Sequence, residues 1–309
     1  MYCPGNTESD IVKALINETY PVPFSMAFCL EDTVKEDKVE EAEENVSDIL
    51  KKIQAAKKEY KFFMPLIFVR VRSTEQLKKL VKKYDCFKDV LTGFILPKFF
   101  IDNCDEYIEI IKENRTYGDD DFRYMPIFES DKMVNILTRG QHLMTVKEKL
   151  DQIKEVVLNI RVGGNDLSHA FGLRRPVEKT IYDVKPVERI LTDVVSVFSM
   201  EYVVSGPVWE YYSGEGWQEG MEREMQLDLI SGFIGKTVIH PNQIKVVNDM
   251  LKVEKEDFED AKQILGWDDD SSKLVSASST SSRMNEYNTH FNWAKKILTL
   301  GNIYGIKNS

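Results

Sequence analysis

Short apolar runs alternate with longer amphipathic ones along most of this chain. PFSMAFCL (23–30), FMPLIFVRV (63–71), DVLTGFILPK (89–98), YMPIFES (124–130), VVLNIRVGGND (156–166), EYVVSGPVW (201–209) and KTVIHP (236–241) read as strands. Between them, residues 36–58, TEQLKKLVKKY (74–84), DEYIEIIKEN (105–114), the stretch around VKEKLDQIKEV, PVERILTDVVSVFS (186–199) and GMEREMQLDLISGF (220–233) show helical spacing. With a strand at 1–3 and a helix over 7–16, the pattern predicts eight βα units. The strands are continuously apolar, as expected of a parallel sheet covered on both faces. Eight such units in about 250 residues predict a single (β/α)8 barrel, spanning 1–252, with a C-terminal helical extension over 253–309. A doubly wound open sheet would give the same local pattern, but no Gly-x-Gly-x-x-Gly follows the first strand, which counts against a dinucleotide-binding version. Within the extension, the serine-rich stretch 273–288 predicts a mobile loop, and THFNWAKKIL (289–298) resumes helical periodicity.

Hydrophobic residues make up 42% of the 309, enough apolar material for a sizeable core. The formal net charge of −10 argues against a nucleic-acid partner, which needs a concentrated basic face. Lys78, Lys79, Lys82 and Lys83 cluster at spacings that suit the wet side of a helix. No run of 18 apolar residues occurs, so no membrane-spanning helix is expected. The start, MYCPGNTESD, shows neither the basic nor the apolar region of a signal peptide. Cys3, Cys29, Cys86 and Cys104 lack metal-type spacing. Reduced thiols in a cytoplasmic protein are the expectation.

The chemistry collects where strands end. Glu31 and Asp32 close the second strand, Arg70 and Arg72 the third, Lys98 the fourth, Glu129 the fifth, Asp166 the sixth and His240 the eighth. In a parallel barrel these ends converge on the rim where active sites sit. Glu129 and Asp166 fit the needs of Mg²⁺, which takes one or two carboxylates and fills its octahedron with water and substrate oxygens. Two solvated acids, or an acid paired with a rim arginine, would look the same in the sequence. Gly163, Gly164 and Asn165 precede Asp166 and allow close backbone approach to a ligand, or make a simple turn. Arg70 stands in an otherwise apolar strand, so it needs a partner: a substrate carboxylate, or Glu31 or Asp32. Lys98 admits a Schiff-base role or a plain salt bridge.

Taken in order, these motifs resemble the citrate lyase β-subunit branch of the HpcH/HpaI aldolase family. The carrying residues are Tyr2-Cys3-Pro4-Gly5, Cys29-Leu30-Glu31-Asp32-Thr33-Val34, Val69-Arg70-Val71, Leu96-Pro97-Lys98, Ile127-Phe128-Glu129-Ser130, Gly163-Gly164-Asn165-Asp166-Leu167 and the run from Gly232 to Ile244. The resemblance implies a TIM barrel, a homotrimer or a multiple of it, with Mg²⁺ on Glu129 and Asp166. It implies a carbon–carbon bond lyase acting on a small oxo- or hydroxy-acid, or its CoA thioester, through a metal-stabilised enolate. Arg70, Glu31 and Asp32 would be catalytic, and Arg70, Arg72, Lys98, Gly164, Asn165 and His240 would bind substrate. Glu286, in Arg283-Met284-Asn285-Glu286, stands where relatives bring an acid to a neighbouring subunit's site. Cys29 and Arg72 depart from the family's aspartate and asparagine, and the loops 168–183 and 209–220 are unlike its usual acyl-CoA loops. The pattern is nearest to the divergent carbon–carbon bond lyase group linked to tellurium-resistance-type gene clusters. An acyl-CoA thioesterase or synthase of the same superfamily, and a non-catalytic metal- or ligand-binding subunit, are the alternatives.

Overall fold

Seven parallel strands stand side by side in chain order: β1 (Tyr2–Pro4), β2 (Ser25–Cys29), β3 (Leu66–Arg70), β4 (Leu91–Leu96), β5 (Arg123–Phe128), β6 (Ile160–Val162) and β7 (Val204–Ser205). The computed structural model describes residues 1–119, 121–267 and 274–307. It divides into two units, Met1–Lys245 and Val246–Ser309. The sheet lies in the first. Successive strands are joined through α1 (Ile11–Ile16), α2 (Val39–Glu59), α3 (Thr74–Lys83), α4 (Cys104–Glu113), α5 (Arg139–Leu150) and the pair α6 (Gly164–Ala170) and α7 (Lys185–Phe198), with α8 (Trp217–Ser231) after β7.

Local sequence explains the elements. On α2, Ala42, Val46, Ile49, Leu50, Ile53 and Ala56 are buried, an apolar stripe at helical period that presses on the sheet. Ser73 starts α3 by accepting a hydrogen bond from the Gln76 N–H at 3.3 Å, satisfying one of the first-turn donors. Gly232 ends α8 at φ +104°, a backbone state that costs glycine little.

Burial along the strands has period two beneath their uniform hydrophobicity. Phe28, Val69, Phe94, Phe128 and Val162 pack into the large core shared with the helices. The alternate residues Ala27, Phe68, Ile95, Met125 and Ile127 pack with Tyr2 in a separate cluster on the other face. Side chains from five consecutive strands meet there because the sheet curls. Each fully buried side chain of the Phe68 kind contributes about 1.5–3 kcal/mol.

Three predicted strands are shorter than expected. β6 covers only Ile160–Val162, because α6 begins at Gly164. β7 stops at Ser205, ahead of Gly206 and Pro207, the second of which has no N–H for a ladder. The eighth strand, expected over 236–241, is not a strand. It holds one isolated parallel bridge, Gly206 with Lys236, and Val238 C=O accepts from Tyr2 N–H at 2.9 Å. The Gln243 side-chain oxygen takes the N–H groups of Ile239 and His240, at 2.8 and 3.3 Å, which removes them from any ladder. The expected eight-stranded sheet is thus a curled parallel sheet of seven.

α9 (Pro241–Leu251) spans the boundary between the units. In the second unit α10 (Lys255–Leu265) packs on α11 (Tyr287–Tyr304) through Ala261, Ile264 and Ala294. Gly301 lets the two helices approach: a Cβ there would lie 2.5 Å from Phe258. The serine-rich stretch read as a loop carries, over its described residues 274–288, an antiparallel pair, β8 (Val275–Ala277) and β9 (Met284–Glu286); Lys273 lies outside the described residues. Among the described residues no helix is long and apolar enough to cross a membrane.

Candidate active site

The inner-face parity that places Ala27, Phe68 and Ile127 continues to the strand ends. Two residues on from each stand Cys29, Arg70 and Glu129, and the pairing puts Cys29 opposite Arg70 and Arg70 opposite Ile95. Arg70 is only 8% exposed. Its Nη2 lies 2.9 Å from Glu129 Oε1, 2.5 Å from Glu31 Oε2 and 3.2 Å from Asp32 Oδ2. The Glu31 contact lies outside hydrogen-bonding geometry, and both Glu31 Oε2 and Arg70 Nε are buried without a hydrogen-bond partner. Buried polar atoms are rarely left so. An orphaned donor and acceptor in one ion cluster mark a place where another molecule's polar atoms fit.

Burial pushes the Glu129 carboxyl up to about 7; Arg70 opposes that, while Asp166 and Glu31 add to it. Burial raises Glu31 as well, against the pull of Arg70. Burial acts against the Arg70 charge too, but Tyr2, Glu129 and Glu31 outweigh it, and the guanidinium stays firmly protonated.

Glu129 and Asp166 line one cleft of about 810 Å³, together with Lys98, Ser130, Asp131 and His169. Oε1 of Glu129 is engaged by Arg70 and by the Lys98 N–H at 3.1 Å. Its Oε2 faces Gly163, where a Cβ would come within 2.3 Å. Beside this lies a second cleft of about 470 Å³, lined by Glu31, Asp32, Arg72, Lys98, Asn103 and Tyr107. Lys98 and Asn103 line both. Lys98 sits at φ +49°, held by Asn103, whose Nδ2 donates to the Lys98 carbonyl.

The two clefts are lined by the acids Glu31, Asp32, Asp102, Glu129, Asp131 and Asp166 and by the cations Arg72 and Lys98, with Arg70 paired to Glu31, Asp32 and Glu129. A divalent cation would lessen that acidic surplus. Among the described residues no three His, Cys, Asp or Glu side chains converge on one point. A cation held between Glu129 and Asp166 would take most of its ligands from water and substrate, as a hydrated hard cation does. By that donor set Glu129 and Asp166 fit Mg²⁺.

The remaining expected residues divide. The Lys98 ammonium reaches Glu31 Oε1 at 3.0 Å; burial works to lower its pKa, but Glu31, Asp32 and Asp166 carry the net shift upward. A Schiff base needs the neutral amine, so this setting suits the salt-bridge role. Arg72 lines the second cleft but directs its donors to Glu36 Oε2, at 2.9 Å, and to the carbonyls of Glu31 and Val34. That grip fixes the loop after β2. Gly164 is buried beneath Pro207, where a Cβ would approach to 2.7 Å, and Asn165 is exposed. The His240 ring stacks on Tyr212 at 4.6 Å, and its Nδ1 accepts from the Asn242 N–H. Glu286 belongs to the second unit, where its N–H donates to His290 Nδ1 at 3.0 Å.

A family model for carbon–carbon bond lyases of the TIM-barrel fold matches residues 1–306. The chain belongs to this family. CitE of Mycobacterium tuberculosis, in its complex with magnesium, acetoacetate and coenzyme A, is similar in fold with a TM-score of 0.60 at 14% identity, over 97% of this chain and 96% of that one. Haloferax volcanii malate synthase, as a magnesium/glyoxylate complex, gives 0.62 at 15%, over 82% and 75%. RipC of Yersinia pestis gives 0.53 at 15%, over 81% and 92%. No curated protein sequence matches the chain.

In this carbon–carbon bond lyase family member, sequence reading missed three groups. His169 lines the cleft of Glu129 and Asp166, three residues after Asp166 on α6, a spacing that was legible. Tyr2 lies near two guanidinium groups, with Arg70 5.8 Å and Arg161 4.9 Å from its ring centroid. A buried ionic network joins Arg175, Glu224, Asp228 and Lys236 to Tyr182 behind β7. Lys236 Nζ lies 2.9 Å from Glu224 and 2.7 Å from Asp228, Arg175 Nε is 3.1 Å from Glu224, and the Tyr182 hydroxyl donates to Asp228 at 2.7 Å.

Proposed function

We propose that this chain is a magnesium-dependent carbon–carbon bond lyase acting on a small oxo- or hydroxy-acid, free or as its CoA thioester. The observation that carries the reading is the pairing of Glu129 and Asp166 in one cleft, beside a buried Arg70 with an unsatisfied Nε. Magnesium held there would supply the Lewis acidity that stabilises negative charge on the substrate oxygen as the carbon–carbon bond breaks. Arg70 would orient the substrate through its free Nε, since its Nη2 is already spent on Glu129, Glu31 and Asp32. Glu31, whose Oε2 touches Arg70 without hydrogen-bonding geometry and whose pKa is raised by burial, and the exposed Asp32 are the groups placed to exchange a proton at the substrate hydroxyl. Lys98 holds Glu31 in position.

The magnesium and small-acid ligands of CitE and malate synthase support this reading. We read residues 236–238 as the eighth stave of the barrel, supported by the Gly206–Lys236 bridge and the Tyr2–Val238 hydrogen bond. The test is retro-aldol turnover of hydroxy-acids and their CoA thioesters with Mg²⁺, in the parent chain and in Glu129→Gln. Turnover that survives Glu129→Gln undiminished contradicts the reading. In a trimer, Glu286 would serve a neighbour's site. Mixed oligomers of Glu286→Gln and Asp166→Asn chains should then regain activity that neither has alone, and mixtures as inactive as the separate variants rule it out.

A further inference from the structure

Three of the four histidines have a structural use for the ring. His142 packs edge-on against Phe100, His240 stacks on Tyr212 and takes the Asn242 N–H, and His290 takes the Glu286 N–H. His169 has none. Among the described residues its imidazole makes no hydrogen bond, ion pair or ring contact. It is exposed, and it lines the cleft that Glu129 and Asp166 share.

The helix explains that placement. α6 buries Gly164, Leu167 and Ser168. Asp166 and His169, three residues apart, are neighbours on its open side, and both line the cleft. Among the described residues no three His, Cys, Asp or Glu side chains converge on one point, so the imidazole shares the cleft without being a third ligand.

Breaking a carbon–carbon bond leaves the electron pair on an enolate, whose carbon must then take a proton. Glu31 and Asp32, read as the groups that receive the hydroxyl proton, line only the second cleft, whereas His169 lines only the first. Within the first, Lys98 is bound to Glu31 at 3.0 Å and Asp102 to Lys132 at 3.1 Å, while Glu129 and Asp166 are read as the ligands. Imidazole is the side chain suited to taking and giving a proton near neutral pH.

We propose that His169 is the catalytic acid that protonates the enolate carbon after cleavage, and the base that removes that proton in reverse. This rests on the lyase reading of Glu129, Asp166 and Arg70. In cleavage the hydroxyl proton passes to Glu31 or Asp32 as its oxygen becomes a carbonyl. The pair of the broken bond moves into the enolate, and the imidazolium N–H gives its proton to carbon. Solvent carries the proton from carboxyl back to imidazole, so the chain is restored and nothing is oxidised or reduced.

The test is deuterium exchange into the methyl group of pyruvate, and separately of acetyl-CoA, in heavy water with saturating Mg²⁺, followed by NMR. Exchange needs only the enolate step: the imidazole removes a methyl proton, exchanges it with solvent and returns a deuteron. The parent chain should exchange at least one probe. His169→Ala should do so about 100-fold more slowly, with free imidazole restoring part of the rate. Because the ring touches nothing, Mg²⁺ affinity by calorimetry should stay within twofold and the melting temperature should not change. His169→Gln, which keeps the size and the hydrogen bonding but cannot cycle a proton, should be as slow as His169→Ala. Either variant exchanging within threefold of the parent overturns the role of His169 and leaves the lyase reading standing. A tenfold loss of Mg²⁺ affinity in His169→Ala would make the imidazole a ligand and overturn it as well. If Mg²⁺ binds but the parent exchanges neither probe, the enolate reading of the whole site falls, and the role of His169 with it.

Discussion

Gly163→Ala moves a proposed metal ligand without removing one. Gly163 has φ −88° and ψ 82°, within reach of an alanine, so backbone strain is not the issue. The added Cβ would stand 2.3 Å from Glu129 Oε2 and 2.4 Å from Glu129 Cβ. Carbon–carbon contacts settle near 3.5–4.0 Å, so one of the two must give by about 1 Å. Glu129 cannot swing aside freely, because Oε1 is tied to Arg70 at 2.9 Å and to the Lys98 N–H at 3.1 Å. Overpacking of this kind costs about 1–3 kcal/mol of stability. A ligand displaced by about 1 Å costs on the order of a hundredfold in function, so Mg²⁺ affinity should fall by about 10- to 100-fold. Calorimetric titration gives the affinity and thermal melting the stability. Gly140→Ala is the control: it lies in α5 with nothing within 4 Å of its Cβ, and it should leave both unchanged or raise the melting temperature. If Gly163→Ala melts lower but binds Mg²⁺ within twofold of the parent, Glu129 is not a ligand and the reasoning fails.

Two further outcomes follow from the buried charges. The Glu129 carboxyl, raised to about 7 by burial, is protonated below that pH and cannot ligate in that form. Mg²⁺ affinity should therefore rise about tenfold between roughly pH 6 and pH 8, with proton release at the lower pH seen as buffer-dependent heat; a flat affinity contradicts this. Glu224→Gln leaves Arg175 and Lys236 short of charge in a fully buried network and should cost about 3–5 kcal/mol in urea denaturation, a loss under about 1 kcal/mol being the contrary result.

The strand ends were legible because a parallel sheet exposes polar side chains only there, and Arg70 and Glu129 each end an apolar run; Asp166, expected at the end of the sixth strand, stands in the first turn of α6. What hid Arg161 is that VVLNIRVGGND reads as one continuously apolar strand. Its parity with Ile127 across the ladder becomes visible only in the pairing. Glu224 and Asp228 form, with Met221 and Met225, the buried stripe of α8. Acids at core spacing on a helix are themselves a sign of buried cations, here Arg175 and Lys236. KTVIHP has strand composition yet holds a single ladder bridge, because the residue that claims the N–H groups of Ile239 and His240, Gln243, lies outside the run. Arg72, expected to bind substrate, lines the second cleft and also grips the loop after β2 through Glu36 and the carbonyls of Glu31 and Val34, and no local pattern foretells that grip.

The central claim, that Glu129 and Asp166 jointly hold a divalent cation, is tested most directly by calorimetric titration of the metal-free protein with Mg²⁺, beside Glu129→Gln and Asp166→Asn. The account predicts one site per chain in the parent protein. Each variant should lose at least about tenfold in affinity while its melting temperature shows the fold intact. Unchanged affinity in both variants, or no binding to the parent at all, would contradict it.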